Sequence, residues 1–184
     1  MTQIDDETAA PARQGIKLFR GADAPSLAAS GTMSTPVFEG DDMQVLAADG
    51  PRSSNLLDGN LDEVVYRGEG SDGMSLVRAW FGPHYVLPRH THDGDCLYYV
   101  VSGSLTMGSQ ELQAGDGFFV PSNAPYAYEA GPDGVEVLEF RGVTSFGMKI
   151  PGGQVERLRR SGQAAEEFGD DWAERRDAVA RAAR

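Results

Sequence analysis

Gly82-Pro83-His84-Tyr85-Val86-Leu87-Pro88-Arg89-His90-Thr91-His92-Asp93-Gly94-Asp95-Cys96 contains all three histidines and the single cysteine of a 184-residue chain. Side chains at i and i+2 of a strand point to one face. His90 and His92 therefore converge if this segment is extended and faces an interior. Imidazole is a borderline ligand that suits Fe, Ni, Zn, Cu or Mn, and two on one strand make half of a typical metal site. By itself the His-x-His spacing is a weak signal. His84 precedes the strand and reads as a rim or surface group.

Outward from this stretch, residues 61 to 143 break into short runs rich in β-branched and aromatic side chains. The expected strands are Glu63 to Arg67, Met74 to Phe81, Tyr85 to His90, Leu97 to Ser102, Ser104 to Met107, Gly117 to Pro121, Tyr126 to Glu129 and Val135 to Arg141. Turn residues such as Ser71-Asp72-Gly73, Gly108-Ser109 and Gly131-Pro132-Asp133-Gly134 separate them. Many short strands at this spacing, with no helical period among them, predict an all-β sandwich or barrel that hides its edges by closing on itself.

Two blocks of this region resemble the motifs of the cupin superfamily. The stretch from Gly82 to His92, continued by Cys96-Leu97-Tyr98-Tyr99-Val100-Val101-Ser102-Gly103, is similar to the first motif: Gly, five residues, His-x-His, three or four residues, Glu, six residues, Gly. Gly115-Asp116-Gly117-Phe118-Phe119-Val120-Pro121-Ser122-Asn123-Ala124-Pro125-Tyr126 is similar to the second: Gly, five residues, Pro-x-Gly, two residues, His. The resemblance implies a double-stranded β-helix, or jelly-roll, cupin barrel over 61–145, with a pocket between the motifs. It also implies a homodimer, for which the arm over 16–60 is the candidate element.

Four departures from the pattern bear on function. Cys96 stands at the Glu position, Tyr126 at the His position, Asn123 at a Gly position, and seven residues separate Gly82 from His90. Of the four ligands usual in the family, only His90 and His92 carry over. One reading completes an altered metal site with Cys96, joined by Tyr126 as a further ligand, each of which must lose a proton whose ordinary pKa lies above neutrality. A second takes a carboxylate from Asp93 or Asp95, which resembles a non-haem iron site. A third dispenses with metal and leaves a pocket that binds a small molecule or does acid/base chemistry with His and Tyr.

The expectation favours a divalent transition metal on His90, His92 and Cys96, iron foremost and Zn, Ni, Cu or Mn as the others. Tyr126 and Tyr98 are the candidate catalytic groups. The implied activity is that of a metal-dependent small-molecule enzyme, with oxygenase chemistry ahead of isomerase or lyase chemistry. The alternative is a metal-free cupin that binds or senses a small molecule. If Cys96 points inward, alternation turns Tyr98 and Val100 inward with it, and Leu97, Tyr99 and Val101 outward. A pocket of Tyr98, Tyr126 and Tyr128 suits a small, partly apolar organic substrate. Arg78 and Trp80 are weaker neighbours; Arg78 in the pocket would select a carboxylate, and a solvated face is the more ordinary place for it.

Composition narrows the partners. Lys plus Arg number 16 against 28 Asp plus Glu, a formal charge of −12. Nucleic acid needs clustered cations, and no run approaches the roughly 20 apolar residues that span a bilayer, so neither nucleic acid nor membrane is an expected partner. One cysteine forms no internal disulfide, and residues 1–15 are polar and acidic without an apolar core; both point to the cytoplasm and to a flexible leading tail. At the other end, 146–184 is read as an extension with an amphipathic helix. Phe168, Trp172, Ala173, Val179 and Ala180 fall at near-helical spacing from about Gly162. Gly169 weakens the pattern enough to move the expected start to Asp170.

Overall fold

The computed structural model describes residues 15–44, 59–70 and 73–182. The tail expected over 1–15 lies almost wholly outside them, as does part of the apolar piece Met43-Gln44-Val45-Leu46. In chain order the strands are β1 (Val37–Phe38), β2 (Asn60–Arg67), β3 (Ser75–Phe81), β4 (Thr91–His92), β5 (Cys96–Met107), β6 (Gln110–Gln113), β7 (Gly117–Val120), β8 (Glu129–Arg141) and β9 (Met148–Ile150). Among the described residues, α1 (Leu27–Ser30) and α2 (Val155–Ala182) are α-helical.

One sheet of six strands runs β2-β3-β8-β5-β6, with β7 also paired to β5; a small sheet of three runs β1-β9-β4. The larger sheet is antiparallel throughout. The two sheets face one another as a jelly roll. The core lies between them because alternation puts Val77, Ala79 and Phe81 of β3 on the same face as Val135 and Val137 of β8 and Val100 of β5, all 5 % exposed or less. Each such valine contributes roughly 1.5–3 kcal/mol of burial. The opposite parity is solvated. Arg78, on the outer face, is paired with Glu63 at 3.1 Å and Glu136 at 2.9 Å, so it does not enter the pocket.

The strands expected at Leu97–Ser102 and Ser104–Met107 are one strand, β5, bent by register shifts against β8 between Val100 and Ser102 and between Gly103 and Leu105. Gly103 has φ +71°, and a Cβ there would meet Gly134 O at 2.0 Å, so the bend demands glycine. The segment expected as a strand from Tyr85 to His90 is not one. It makes only isolated bridges, Val86 with Glu129 and His90 with Tyr126. Two of its carbonyls are taken by side chains of α2: Ser161 Oγ donates to Val86 O, and Arg157 Nε donates to Leu87 O at 2.7 Å. Pro88 has no N–H for a ladder. One or two strands are expected in the arm over 16–60 without a readable partner, and β1 is one, paired with β9; the short strands β4, β6 and β9 were not expected, since two to four residues carry too little alternation to read.

The arm is fastened to its own chain. β1 pairs in parallel with β9, and Ser34 N and Phe146 N exchange bonds with Phe146 O and Thr32 O at 3.0 and 2.9 Å. The helix begins at Val155, well before the expected start, and runs straight through Gly169. A glycine inside a helix costs about 1 kcal/mol, which the docking of Trp172 outweighs. Trp172 is 1 % exposed, packs at a tilt against Tyr85 with ring centres 5.6 Å apart and donates Nε1–H to Pro83 O at 2.8 Å. Gly59 and Gly82 make room for its ring; a Cβ on either would lie 2.6 or 2.2 Å from the indole.

Candidate functional site

Chemistry-bearing side chains gather between the two sheets. From the large sheet, alternation along β5 turns Cys96, Tyr98 and Val100 inward, as expected, with Leu97, Tyr99 and Val101 outward. β8 adds Glu139 and Arg141 on the same face, Glu139 lying directly opposite Tyr98 in register. From the facing wall come His90, His92, Tyr126 and Tyr128, none more than 9 % exposed.

The hydrogen bonds across this space have one possible direction. Arginine only donates, so Arg141 Nη2 gives its hydrogen to Tyr98 Oη at 3.2 Å. A peptide carbonyl only accepts, so His90 Nδ1 carries the ring hydrogen toward Pro88 O at 2.8 Å. His90 Nε2 is then a bare lone pair, and Tyr126 Oη, 2.7 Å away, donates to it. Tyr98 donates in turn to Tyr126. The sequence Arg141, Tyr98, Tyr126, His90, Pro88 O is therefore a single donor-to-acceptor chain joining both motif blocks. Tyr126 oxygen, with one hydrogen and one accepted bond, retains one lone pair for a bound molecule.

Other residues fix these groups in place. His92 Nδ1 donates to Gly147 O at 2.8 Å, and Gly147 N donates to Asp93 Oδ1 at 2.6 Å. Asp95 Oδ1 accepts from Ser122 N at 2.7 Å. Both turn carboxylates thus bind backbone, Asp95 tying the first motif block to the second and Asp93 tying it to the residue before β9. Gln154 brackets the residue before His90, accepting from Arg89 N at 2.8 Å and donating to Arg89 O at 2.9 Å. Arg141 Nη1 pairs with Glu139 Oε2 at 2.6 Å, and its Cζ lies 3.9 Å above the centre of the Phe146 ring.

Burial sets the protonation states. It pushes His90 down to about 4, helped by His92 and Arg141, and His92 down to about 4, helped by Arg141, so both imidazoles are neutral at physiological pH. Burial, then the charge of Glu139, holds Tyr98 and Tyr126 well above the ordinary phenol range and pushes the Cys96 thiol up to about 12. Cys96 Sγ is directed at Leu97 O, 3.9 Å away.

The structure thus brings together His90, His92, Tyr126 and Tyr98, with Tyr128 packed 6.4 Å from the Tyr126 ring. Among the described residues no three of His, Cys, Asp or Glu converge as a metal cluster, so the nitrogen donors His90 and His92 stand without a third such ligand. His84 is exposed, with its ring 4.9 Å from Phe168, on the helix side. Glu139 and Arg141 were missed. Val-Leu-Glu-Phe-Arg reads as an alternating strand, and nothing in one sequence says that its charged face is the inner one; the only signal was that Val135 and Val137 share their parity.

No model of a known protein family matches the chain, and no curated protein matches it. Among solved structures, KdgF from Halomonas sp. is 23 % identical with a TM-score of 0.39, covering 46 % of this chain and 79 % of that one. An RmlC-like cupin from Shewanella frigidimarina is 24 % identical, TM-score 0.39, covering 46 % and 76 %. The DMSP lyase DddQ from Ruegeria pomeroyi is 22 % identical, TM-score 0.43, covering 48 % and 49 %. Likeness at this level assigns no reaction to this chain. The strand order β2-β3-β8-β5, with β7 on β5 and His90 meeting Tyr126 across facing sheets, is a jelly-roll arrangement, and the likeness to these structures is one of fold.

Proposed function

We propose that the chain is a small-molecule enzyme whose chemistry is proton transfer at Tyr126. The observation that carries this reading is the one-way hydrogen-bond chain. A substrate C–H proton moves to the free lone pair of Tyr126 as the phenol passes its own proton to His90 Nε2; the C–H electron pair stays on the substrate. His90 becomes an imidazolium whose Nδ1–H rests on Pro88 O. Tyr98, polarised by Arg141, makes the Tyr126 proton easier to give up. The rings of Tyr98, Phe118, Tyr126 and Tyr128 fit a small, partly apolar organic substrate. This is isomerase or lyase chemistry.

A second reading keeps the metal. Both His90 and His92 give Nδ1–H to a carbonyl, the arrangement that frees and orients Nε2 of ligating imidazoles. His90 and His92 would hold the ion, with Cys96 turned from Leu97 O as third ligand. The ion would supply Lewis-acid or, as iron, oxygenase chemistry.

One experiment separates the two. The full chain is incubated in D2O with a panel of small keto and α-hydroxy carbonyl acids, and loss of C–H signals is followed by NMR. Deuterium wash-in that vanishes in Tyr126→Phe and persists after chelation supports the first reading. Wash-in unchanged in Tyr126→Phe overturns it. Wash-in lost on chelation and restored by Fe(II) or Zn establishes the second.

A further inference from the structure

The outward face of the large sheet is apolar where the solvated face of an antiparallel sheet is ordinarily polar. Register lines up Phe119 of β7, Leu97 of β5, Phe140 of β8, Leu76 of β3 and Tyr66 of β2 in one cross-strand row. Phe19 of the arm extends the row, its ring centre 5.7 Å from that of Tyr66. The next row holds Tyr99 and Leu138, then Arg78 and Glu63. Val101 continues the same side of β5 past Tyr99. Phe119 is 58 % exposed, Leu97 51 %, Tyr99 46 % and Val101 41 %, so the β7 and β5 half of this face is bare apolar surface.

Size and charge decide what fits it. Five strands about 4.8 Å apart, with outward residues about 7 Å apart along each, make a patch on the order of 400 Å². A stable interface takes about 800 Å² from each partner as an apolar core inside a polar rim, and a patch of this size supplies the core. The chain carries a formal charge of −12, so two copies repel one another unless the surfaces that meet are nearly neutral. On this face Arg78 lies between Glu63 at 3.1 Å and Glu136 at 2.9 Å, and the three together leave a single negative charge. Those carboxylates are paired within their own chain and need no partner across an interface. A second copy also brings a sheet of the same twist, the condition for two sheets to pack face to face about 10 Å apart.

We infer that two copies of this chain pack face to face through the outer side of the large sheet, about a two-fold axis, with Leu97, Tyr99 and Phe119 at the core of the contact. The interface is isologous, each copy giving the same patch. The sheet makes it, while β1 of the arm is paired with β9 of its own chain. The contact also bears on the interior. Leu97 and Tyr99 flank Tyr98, and Leu138 and Phe140 flank Glu139, so the second copy covers the back of the wall that carries both.

The test is sedimentation equilibrium of the full chain over a dilution series. Wild type is expected to be a dimer at about 10 µM. Leu97→Glu with Phe119→Glu places two charges in the apolar core and should weaken association by about a hundredfold or more. Far-ultraviolet dichroism like that of wild type shows that the variant is folded. Val37→Glu, at an equally exposed apolar position on the arm, should leave the dimer unchanged. Hydroxyl-radical footprinting of wild type gives a readout that needs no variant: Tyr99 and Phe119 should be oxidised in dilute protein and protected as the dimer fills. A wild type that stays monomeric throughout the series overturns the inference, including one in which both residues are protected at every dilution because another segment of the same chain covers them. A dimer unmoved by the folded double variant, equal weakening by Val37→Glu, or Tyr99 and Phe119 equally reactive in monomer and dimer overturns it as well.

Discussion

Tyr126 Oη lies 2.7 Å from His90 Nε2, and the donor is the tyrosine because Pro88 O already holds the hydrogen on Nδ1. A residue of the second motif block thus supplies a proton to a residue of the first, where two imidazoles would otherwise face each other. The consequence is a buried polar chain whose members depend on one another. Such a chain is rigid when satisfied and costly when broken.

Tyr126→Phe keeps the ring and removes one oxygen. It leaves the Nε2 of buried His90 without its donor and the Tyr98 hydroxyl without its acceptor. The expected loss is about 1–3 kcal/mol, measured by urea unfolding. Nitrogen-15 NMR of the histidine rings should show the His90 Nε2 signal moving while His92, held by Gly147 O, stays nearly unchanged.

Arg141 and Glu139 predict a sharper asymmetry. Arg141→Met strands a carboxylate that is 9 % exposed, and a loss of about 3–5 kcal/mol is expected. Replacing both partners, Glu139→Gln with Arg141→Met, should recover most of that loss, because the uncompensated charge disappears. A double-mutant cycle in urea measures the coupling; near-additive losses would contradict the pairing seen at 2.6 Å.

The large sheet was legible because its strands are long and alternate: Cys96, Tyr98 and Val100 against Leu97, Tyr99 and Val101 decides one face without ambiguity. The motif blocks did the same for His90, His92 and Tyr126, whose meeting follows from where the blocks lie. What stayed hidden is set by partners distant in sequence. Tyr85 to His90 has strand composition, yet α2 claims two of its carbonyls, Leu87 O through Arg157 and Val86 O through Ser161. Glu139, Arg141 and Asp62 have the composition of solvated strand positions. Only register against Tyr98 and Ala79 turns them inward.

Helix docking gives a third prediction. Gly82→Ala puts a Cβ 2.2 Å from the Trp172 indole, against a ring rather than a flexible chain end. A loss of about 1–3 kcal/mol is expected, with Trp172→Ala costing about 3–5 kcal/mol through the cavity it leaves. Both variants should raise hydrogen exchange along α2 and quench the near-ultraviolet dichroism of the buried indole. Gly169→Ala meets nothing within 4 Å and should stabilise the helix by up to about 1 kcal/mol.

Stability against pH follows from three interior groups that pull in opposite directions. His90 and His92 titrate near 4 in the folded chain and near 6.5 when unfolded, so between these values the unfolded chain holds two more protons on them. Their contribution is complete above about 6.5 and is lost as pH falls through 4. Asp62 is the reverse: about 7 folded and 3.8 unfolded, so the native chain holds the extra proton and its contribution is lost as pH rises through 7. Between pH 4 and 6.5 the unfolded chain therefore binds a net of about one proton more on these groups, and stability should rise with pH by roughly 1.4 kcal/mol per unit. Asp62→Asn removes the opposing group. Urea unfolding across this range should show the variant's slope steeper than wild type by about one proton, with the two curves parallel above pH 8. An unchanged slope would mean that Asp62 ionises in the folded protein as it does in water, with no interior carboxyl set against the imidazoles of His90 and His92.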